Sequence, residues 1–408
     1  MRAQLFAAAA SLILAPGAGL AAEAAGHQWP ACGKVDAYPS REWRASDPER
    51  NGWDNVKLGE AKTIFDSLQS AAVVVVHRGR LIAQWGSVET PYTAQSVRKA
   101  LLNSLVGGLV DDGSVSLNAT LADVGINDSD PELTASERQA TVRDLLRSRS
   151  GIFHSALYEV GGWTRARRAL AEAEKAAGRD LFPAGAIWIY NNWDFNALGT
   201  IVENAAKREI GPLFDERIAG PTGMQDFAPE DVEYTTRDHP AEKRFGNSSD
   251  HRAYVFDIST RDLARYGVLM LGCGKWKSNQ VLSRRWVLES VDGIDTRIGR
   301  AEEQRETGFG DYGYLWQIDR PGSRRYVGLP TREPMYMATG NRGHVMFVLP
   351  YLDLVIAHQV ATDGGVSMEA QVKRATEGSP EVADADIERL VAAIIAAHPE
   401  GKTAFAAE

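Results

Sequence analysis

Strand-like segments gather at the two ends of this 408-residue chain and helical periodicity fills the middle, an arrangement that constrains the fold more than any other feature. A β-branched run from Ala71 to His77 is followed by the turn Arg78-Gly79-Arg80 and a second run from Leu81 to Trp85, the pattern of a hairpin. After about residue 312, short strands return at Tyr326 to Leu329, Pro334 to Thr339, His344 to Leu349 and Leu352 to His358, separated by Gly, Pro, Asn and Asp. Between these groups, Leu101, Leu102, Leu105, Val106 and Leu109 recur at helical spacing after Ser96, with Gly113 placed to stop the helix. That helix is apolar around much of its circumference and belongs in the core. Thr141 to Asp144 and Ser259 to Asp262 have capping-box spacing ahead of further apolar runs. A last amphipathic segment, Val382 to Ala397, carries Ile387, Leu390, Val391, Ile394 and Ile395 on one side. The expected fold is therefore α/β (α+β): one antiparallel sheet closed by both ends of the chain, with a mostly helical part inserted.

The domain organisation follows. Residues 1–24 read as a signal peptide: Met1-Arg2, an apolar Ala-rich stretch from Leu5 to about Leu20, then small residues Ala21, Ala22, Ala24 and Ala25. Residues 25–58 read as an irregular lead-in, and 59–400 as a single catalytic domain with its sheet part in about 59–95 and 312–400 and its helical part in about 96–311. No later segment approaches the roughly 20 apolar residues of a membrane span, so the mature chain is expected to be periplasmic or secreted. A net charge of −9 without a long basic run leaves no electrostatic footprint for nucleic acid. A small-molecule or peptide substrate is the expected partner; oligomeric state is left open. Export would place the two cysteines, Cys32 and Cys273, where a bridge can form. The apolar run Gly267 to Leu271 before Cys273 fits a buried unpaired thiol equally well.

One constellation carries chemistry. Ser96-Val97-Arg98-Lys99 is the single place where a serine stands three residues before a lysine, and on a helix those positions share a face. A serine hydroxyl is too weak an acid to attack a carbonyl unaided, whereas a buried, neutral lysine beside it can take the proton. Tyr190-Asn191-Asn192 precedes an apolar helix; Tyr190 can relay a proton and Asn192 can orient an amine or a substrate amide, although a cap behind a core tyrosine has the same pattern. The turn Thr339-Gly340-Asn341-Arg342-Gly343 could lend a backbone N–H to an oxyanion, or be an ordinary glycine hairpin. There is no Gly-x-Ser-x-Gly elbow, His-Glu-x-x-His motif, Cys/His cluster or phosphate-binding loop, so neither a metal nor another cofactor is implied. His154 reads as a satisfied core histidine, and Asp384 and Asp386 as solvated charges.

Taken together, Ser96-x-x-Lys99, Tyr190-x-Asn192 and the late glycine turn resemble the β-lactamase-related serine hydrolases, which include class C β-lactamases, D-alanyl-D-alanine peptidases, esterases and 6-aminohexanoate-dimer hydrolases. Thr141 to Leu146 with Ser150-Gly151-Ile152, Arg261 to Gly267, Tyr312 to Trp316 and Val348 to Pro350 are similar to segments of that family, extending the likeness over about residues 60 to 397. The resemblance implies an antiparallel sheet of five or more strands flanked by N- and C-terminal helices, and an acyl-enzyme on Ser96. Lys99 and Tyr190 would share the proton work, Asn192 would orient Lys99 or the substrate, and the N–H of Ser96 with one near Gly340 or Asn341 would form the oxyanion hole. Lactam-recognising members carry Lys-Thr-Gly or His-Thr-Gly on the third strand, whereas this chain has Ala338-Thr339-Gly340, closer to the esterase and aminohexanoate-hydrolase branch. A D-Ala-D-Ala peptidase or β-lactamase, and a catalytically silent binding protein on the same scaffold, are the alternatives. Arg342 either recognises a carboxylate or is a solvated turn residue.

Overall fold

The computed structural model describes residues 29, 31–129, 131–159, 171–172, 175–176, 178–296, 310–321, 324–329, 333–362, 370, 373 and 378–401; the expected signal peptide lies outside them. Helix α1 (Asn55–Asp66) starts where the Asp54 side chain accepts from the N–H groups of Val56 and Lys57. The irregular lead-in expected through residue 58 therefore ends earlier, because this aspartate caps a segment whose Leu58, Ala61 and Phe65 lie on one buried face. Strands β1 (Ala72–His77) and β2 (Arg80–Gly86) form the hairpin, and β3 (Pro91–Thr93) leads towards α2 (Arg98–Asp111). The middle of the chain supplies α3 (Val142–Leu146), α4 (Asn192–Ala206), β4 (Val232–Thr235), β5 (Ala253–Ser259), α5 (Thr260–Leu271), the ribbon β6 (Lys275–Trp276) and β7 (Asn279–Gln280), and α6 (Arg284–Ser290). Short strands β8 (Ile294–Asp295), β9 (Asp311–Tyr312) and β10 (Gln317–Asp319) precede the meander β11 (Met335–Gly340), β12 (His344–Leu349) and β13 (Leu354–Gln359), and α7 (Asp384–Ala397) follows.

The main sheet has eight strands in the order β2-β1-β13-β12-β11-β10-β9-β8, all neighbours antiparallel. Strand β1 pairs with β13 from Ala72↔Gln359 to His77↔Leu354, which joins the two ends of the chain in one sheet. Every residue of β1 is buried because both faces are covered: Val74 and Val76 enter the core beneath α2 and α5, and Val73 and Val75 enter a second core under α1 and α7. A strand buried on both sides needs a continuous apolar run, and the β-branched sequence supplies it. The same alternation sends Met346 and Val348 of β12 one way and Val345, Phe347 and Leu349 the other. On the inner face α5 comes close enough that a side chain at Gly267 would overlap Val355 of β13. A smaller sheet, β3-β5-β4, joins the segment just before α2 to the inserted part.

The structure departs from the sequence expectation at Tyr326 to Leu329, which forms a turn, Leu329 N donating to Tyr326 O, instead of a strand. Tyr326 packs edge-on against Phe347, and its N–H and that of Arg325 are held by the Asp319 carboxylate, so local turn bonds replace a ladder. Strand β10 takes the place beside β11 instead. Cys32 and Cys273 form a disulfide with a Cα–Cα separation of 5.4 Å, which settles the choice left open between a bridge and a free thiol. It ties the lead-in to the end of α5 across 241 residues of sequence. Removing it through the double change Cys32→Ser and Cys273→Ser should lower stability by about 2–4 kcal/mol, chiefly by freeing the unfolded chain. Equal urea midpoints for both forms would show that the bridge constrains nothing. Among the described residues no helix is long and apolar enough to cross a membrane.

Candidate active site

Ser96 stands on a 3-10 turn, Gln95–Val97, between β3 and α2. The turn begins with Gln95 at φ +50°, a left-handed conformation that costs energy for a residue with a Cβ and persists only where its surroundings enforce it. The enforcing neighbour is the end of β11. A Cβ at Gly340 would lie 2.9 Å from Ala94 O and 2.9 Å from Gln95 Cβ, so glycine is required for the strand to reach the Ser96 turn. Gly340 therefore sits beside Ser96, half-buried; Asn341 is exposed, and its Oδ1 accepts from the N–H of Arg342.

Lys99, in the first turn of α2, is 2% exposed, and its Nζ donates to Ser96 Oγ at 2.7 Å and to Tyr190 Oη at 2.5 Å. Tyr190 belongs to an extended segment strapped to the residues after α3. Ile189 N donates to Ser148 O (3.0 Å), Ser148 Oγ donates to Ile189 O (2.7 Å), and Asn191 N donates to Ser148 Oγ (3.0 Å). Asn191 is the cap of α4, accepting from Trp193 N, while its amide donates to Ile152 O and to the Asp194 carboxylate, which Ser150 also reaches. The Ser150-Gly151-Ile152 segment thus fixes the position of Tyr190.

The electrostatics of the triad are asymmetric. Burial first, then the neighbouring Arg98 charge, holds Lys99 well below the ordinary lysine range, against a weaker upward pull from Glu159. Rings of Tyr190 and Phe195 lie 4.7 and 4.9 Å from Nζ and would favour an ammonium. That attraction is worth about 0.5–2 kcal/mol, less than the roughly 4–7 kcal/mol that full burial of a lysine can cost its charged form. Removal from water pushes the Tyr190 hydroxyl up to about 12 despite a hydrogen bond from Ser96 and the pull of Arg98. The arrangement sets an amine whose hold on its proton is weakened by burial beside a phenol whose hold is strengthened by it.

Asn192 lies apart from this triad. Its Nδ2 donates to Glu159 Oε1 at 2.9 Å, and its buried Oδ1 has no hydrogen-bond partner, so it holds a carboxylate at the edge of the site and does not touch Lys99. Arg342 points away: its guanidinium donates to Ser379 O and pairs with Glu381 at 3.4 Å. It is neither a free carboxylate receptor nor a purely solvated turn residue. The small cavity over Ser96, Lys99 and Tyr190 is walled by Tyr312, Leu315, Gln317, Met337 and Thr339. Its β9–β10 wall is locked to α2 by Asn103, whose Nδ2 donates to Ser290 Oγ (3.0 Å) and Tyr314 O (2.9 Å). Of these residues, Glu159 and Arg98 carried no separate signal in the sequence, while the Tyr312 to Trp316 segment was visible only by resemblance. Among the described residues no group of three or more His, Cys, Asp or Glu side chains is arranged to hold a metal.

The family description Beta-lactamase matches residues 62–377, a span reaching from α1 past β13. The chain belongs to the beta-lactamase family. It is accordingly a serine hydrolase of the esterase, amidase and beta-lactamase kind. No curated protein matches its sequence. Solved structures share the fold at low identity. A protein assigned as a 6-aminohexanoate-dimer hydrolase from Bacillus anthracis is 16% identical with a TM-score of 0.56, over 91% of this chain and 90% of that one. A penicillin-binding-protein homologue from Caulobacter crescentus is 16% identical (TM-score 0.53; 78% and 96%). A family VIII carboxylesterase is 14% identical (TM-score 0.52; 79% and 96%).

Proposed function

We propose that this beta-lactamase-family chain cleaves carboxylic esters or linear amides through an acyl-enzyme on Ser96. The observation that carries this reading is the position of the Lys99 amine, 2.7 Å from Ser96 Oγ and 2.5 Å from Tyr190 Oη. In the first half-reaction Lys99 takes the hydroxyl proton as Ser96 Oγ bonds to the carbonyl carbon. The N–H of Ser96 and one from the Gly340–Asn341 end of β11 hold the oxyanion. Tyr190 gives its proton to the departing alcohol or amine and regains one from the Lys99 ammonium, so the intermediate collapses to the ester of Ser96 with no net proton change. Water then enters over the same cavity and bonds to the carbonyl carbon as it loses a proton to the Lys99–Tyr190 pair; the bond to Ser96 Oγ breaks, the pair returns the proton to Oγ, and the acid departs. Burial frees Lys99 of its proton more readily than an ordinary lysine and keeps the proton on Tyr190, which favours Lys99 as first base and Tyr190 as acid.

A lactam or D-Ala-D-Ala substrate is disfavoured because Ala338 precedes Thr339-Gly340 where lactam-recognising relatives have a cation, and the nearby Arg342 is engaged with Glu381. The export of the mature chain is part of the proposal, and the Cys32–Cys273 bridge supports it, since such bonds persist in oxidising compartments. The test is turnover of p-nitrophenyl butyrate against a chromogenic cephalosporin. Ester hydrolysis should dominate, and faster cephalosporin hydrolysis would reverse the assignment. In the same assay Tyr190→Phe should slow acylation about a hundredfold, the usual worth of one positioned acid. An unchanged rate would make Tyr190 a packing residue.

A further inference from the structure

Arg98 is 2% exposed, in the interior of a protein where a charged side chain is expected to have a carboxylate beside it. It has none. Its guanidinium lies 4.4 Å above the Tyr254 ring, and Nη2 reaches the amide oxygen of Asn196 at 3.5 Å, so its neighbours are a neutral ring and a neutral amide. Guanidinium is not deprotonated in proteins, so a full positive charge is fixed behind the nucleophile turn. A buried charge left this way costs stability, which raises the question of what it does.

We propose that Arg98 is a positioning residue of the hydrolytic site, a fixed buried cation whose charge keeps its neighbour Lys99 in the neutral amine form. The inference rests on the reading of Lys99 as the base. The adjacent residues share the first turn of α2, where the unpaired backbone N–H groups also oppose a second cation. In an interior of low effective dielectric, a cation on the adjacent residue is screened less than it would be in water. The groups that face Lys99 divide by sign. Ser96 and Tyr190 are its neutral hydrogen-bond partners, Tyr312 closes the cavity, Arg98 opposes the ammonium and Glu159 favours it. Arg325 and Asp194 act at one remove, on Tyr190 and Tyr312. Arg98 thus does for the base what a carboxylate partner would undo, and the absence of one is functional.

The experiment is the pH dependence of kcat/KM for p-nitrophenyl butyrate in the wild type, Arg98→Met, Arg98→Gln, Arg98→Lys, Glu159→Gln and Lys99→Ala. Neutralising Arg98 lets Lys99 keep its proton to higher pH, so the acid limb should move up by about one pH unit, about a tenfold loss on the acid side. Arg98→Lys should restore the wild-type limb. Glu159→Gln removes a charge that favours the ammonium, and its limb should move down. If Lys99→Ala is inactive and the Arg98→Met and Arg98→Gln limbs stay in place, the Arg98 proposal is overturned while the base survives. Shifts in the same direction for Arg98→Gln and Glu159→Gln also overturn it, as does failure of both neutral variants to fold, since the guanidinium would then be a structural partner of Tyr254 and Asn196. Wild-type rates in Lys99→Ala would sink the base itself.

Discussion

Ser96→Ala should give no covalent adduct with a fluorophosphonate in intact-protein mass spectrometry, where the wild type gains one, and should cut ester turnover about a thousandfold or more. The fold should not notice. Ser96 is half-buried, its side chain caps no helix, and the amine it leaves behind keeps its contact with Tyr190. Unfolding midpoints should therefore agree to within about 0.5 kcal/mol of stability. Ser96 and Lys99 act as one unit, so adding Lys99→Ala to Ser96→Ala should cost little more. An adduct on the alanine variant would place the nucleophile elsewhere. A folded wild type that takes no adduct and turns over no ester would favour the binding-protein alternative.

What the sequence revealed of this site depended on whether the signal was local. The i to i+3 spacing of Ser96 and Lys99 is a property of one helix turn, and the capping residues Thr141 and Ser259 announce their helices within three positions, where both side chains accept from N3. The two-sided burial of β1 is likewise written in its unbroken valines. Non-local facts were out of reach. That Asn192 would hold Glu159, 33 residues away, is a contact no local pattern encodes. Arg98 looks like a surface residue by type, and only the approach of Tyr254 from β5 encloses it. Tyr326 to Leu329 has strand-forming residues, yet the Asp319 carboxylate outbids a ladder for its N–H groups. The disulfide joins positions too distant for spacing to pair.

Acid should unfold this protein well before its carboxylates are neutralised, because four of its histidines are buried in the neutral state. Desolvation lowers His77 and His358 to about 4 and His344 and His398 to about 3. Two of them accept a hydrogen bond that needs the neutral ring: His77 Nδ1 accepts from Trp53 Nε1 at 3.2 Å, and His398 Nδ1 accepts from Glu400 N at 3.1 Å while its other nitrogen donates to Leu352 O. His358 is wedged between Gly343 O and Ser70 Oγ, each at 2.7 Å. The sign is fixed by linkage. Below the ordinary value of about 6.5 the unfolded chain takes up protons that the folded one refuses, so stability falls as pH drops towards the folded values. By about pH 5 each of these groups has cost on the order of 2 kcal/mol, a large share for a domain whose total is about 5–15 kcal/mol. Asp262 and Asp319, both raised by burial, act in the opposite sense: their folded forms take up protons above the ordinary carboxyl value of about 4, so their contribution grows as pH falls towards that value and is complete below it. Urea unfolding between about pH 7.5 and 5 should show midpoints falling steadily, and the ring Cε1 protons of these four residues should not shift over that range. A flat stability curve, or four resonances titrating near pH 6.5, would mean that the rings are already reached by water and that the contacts joining β1, β12 and β13 to the ends of α1 and α7 are looser than the structure has them.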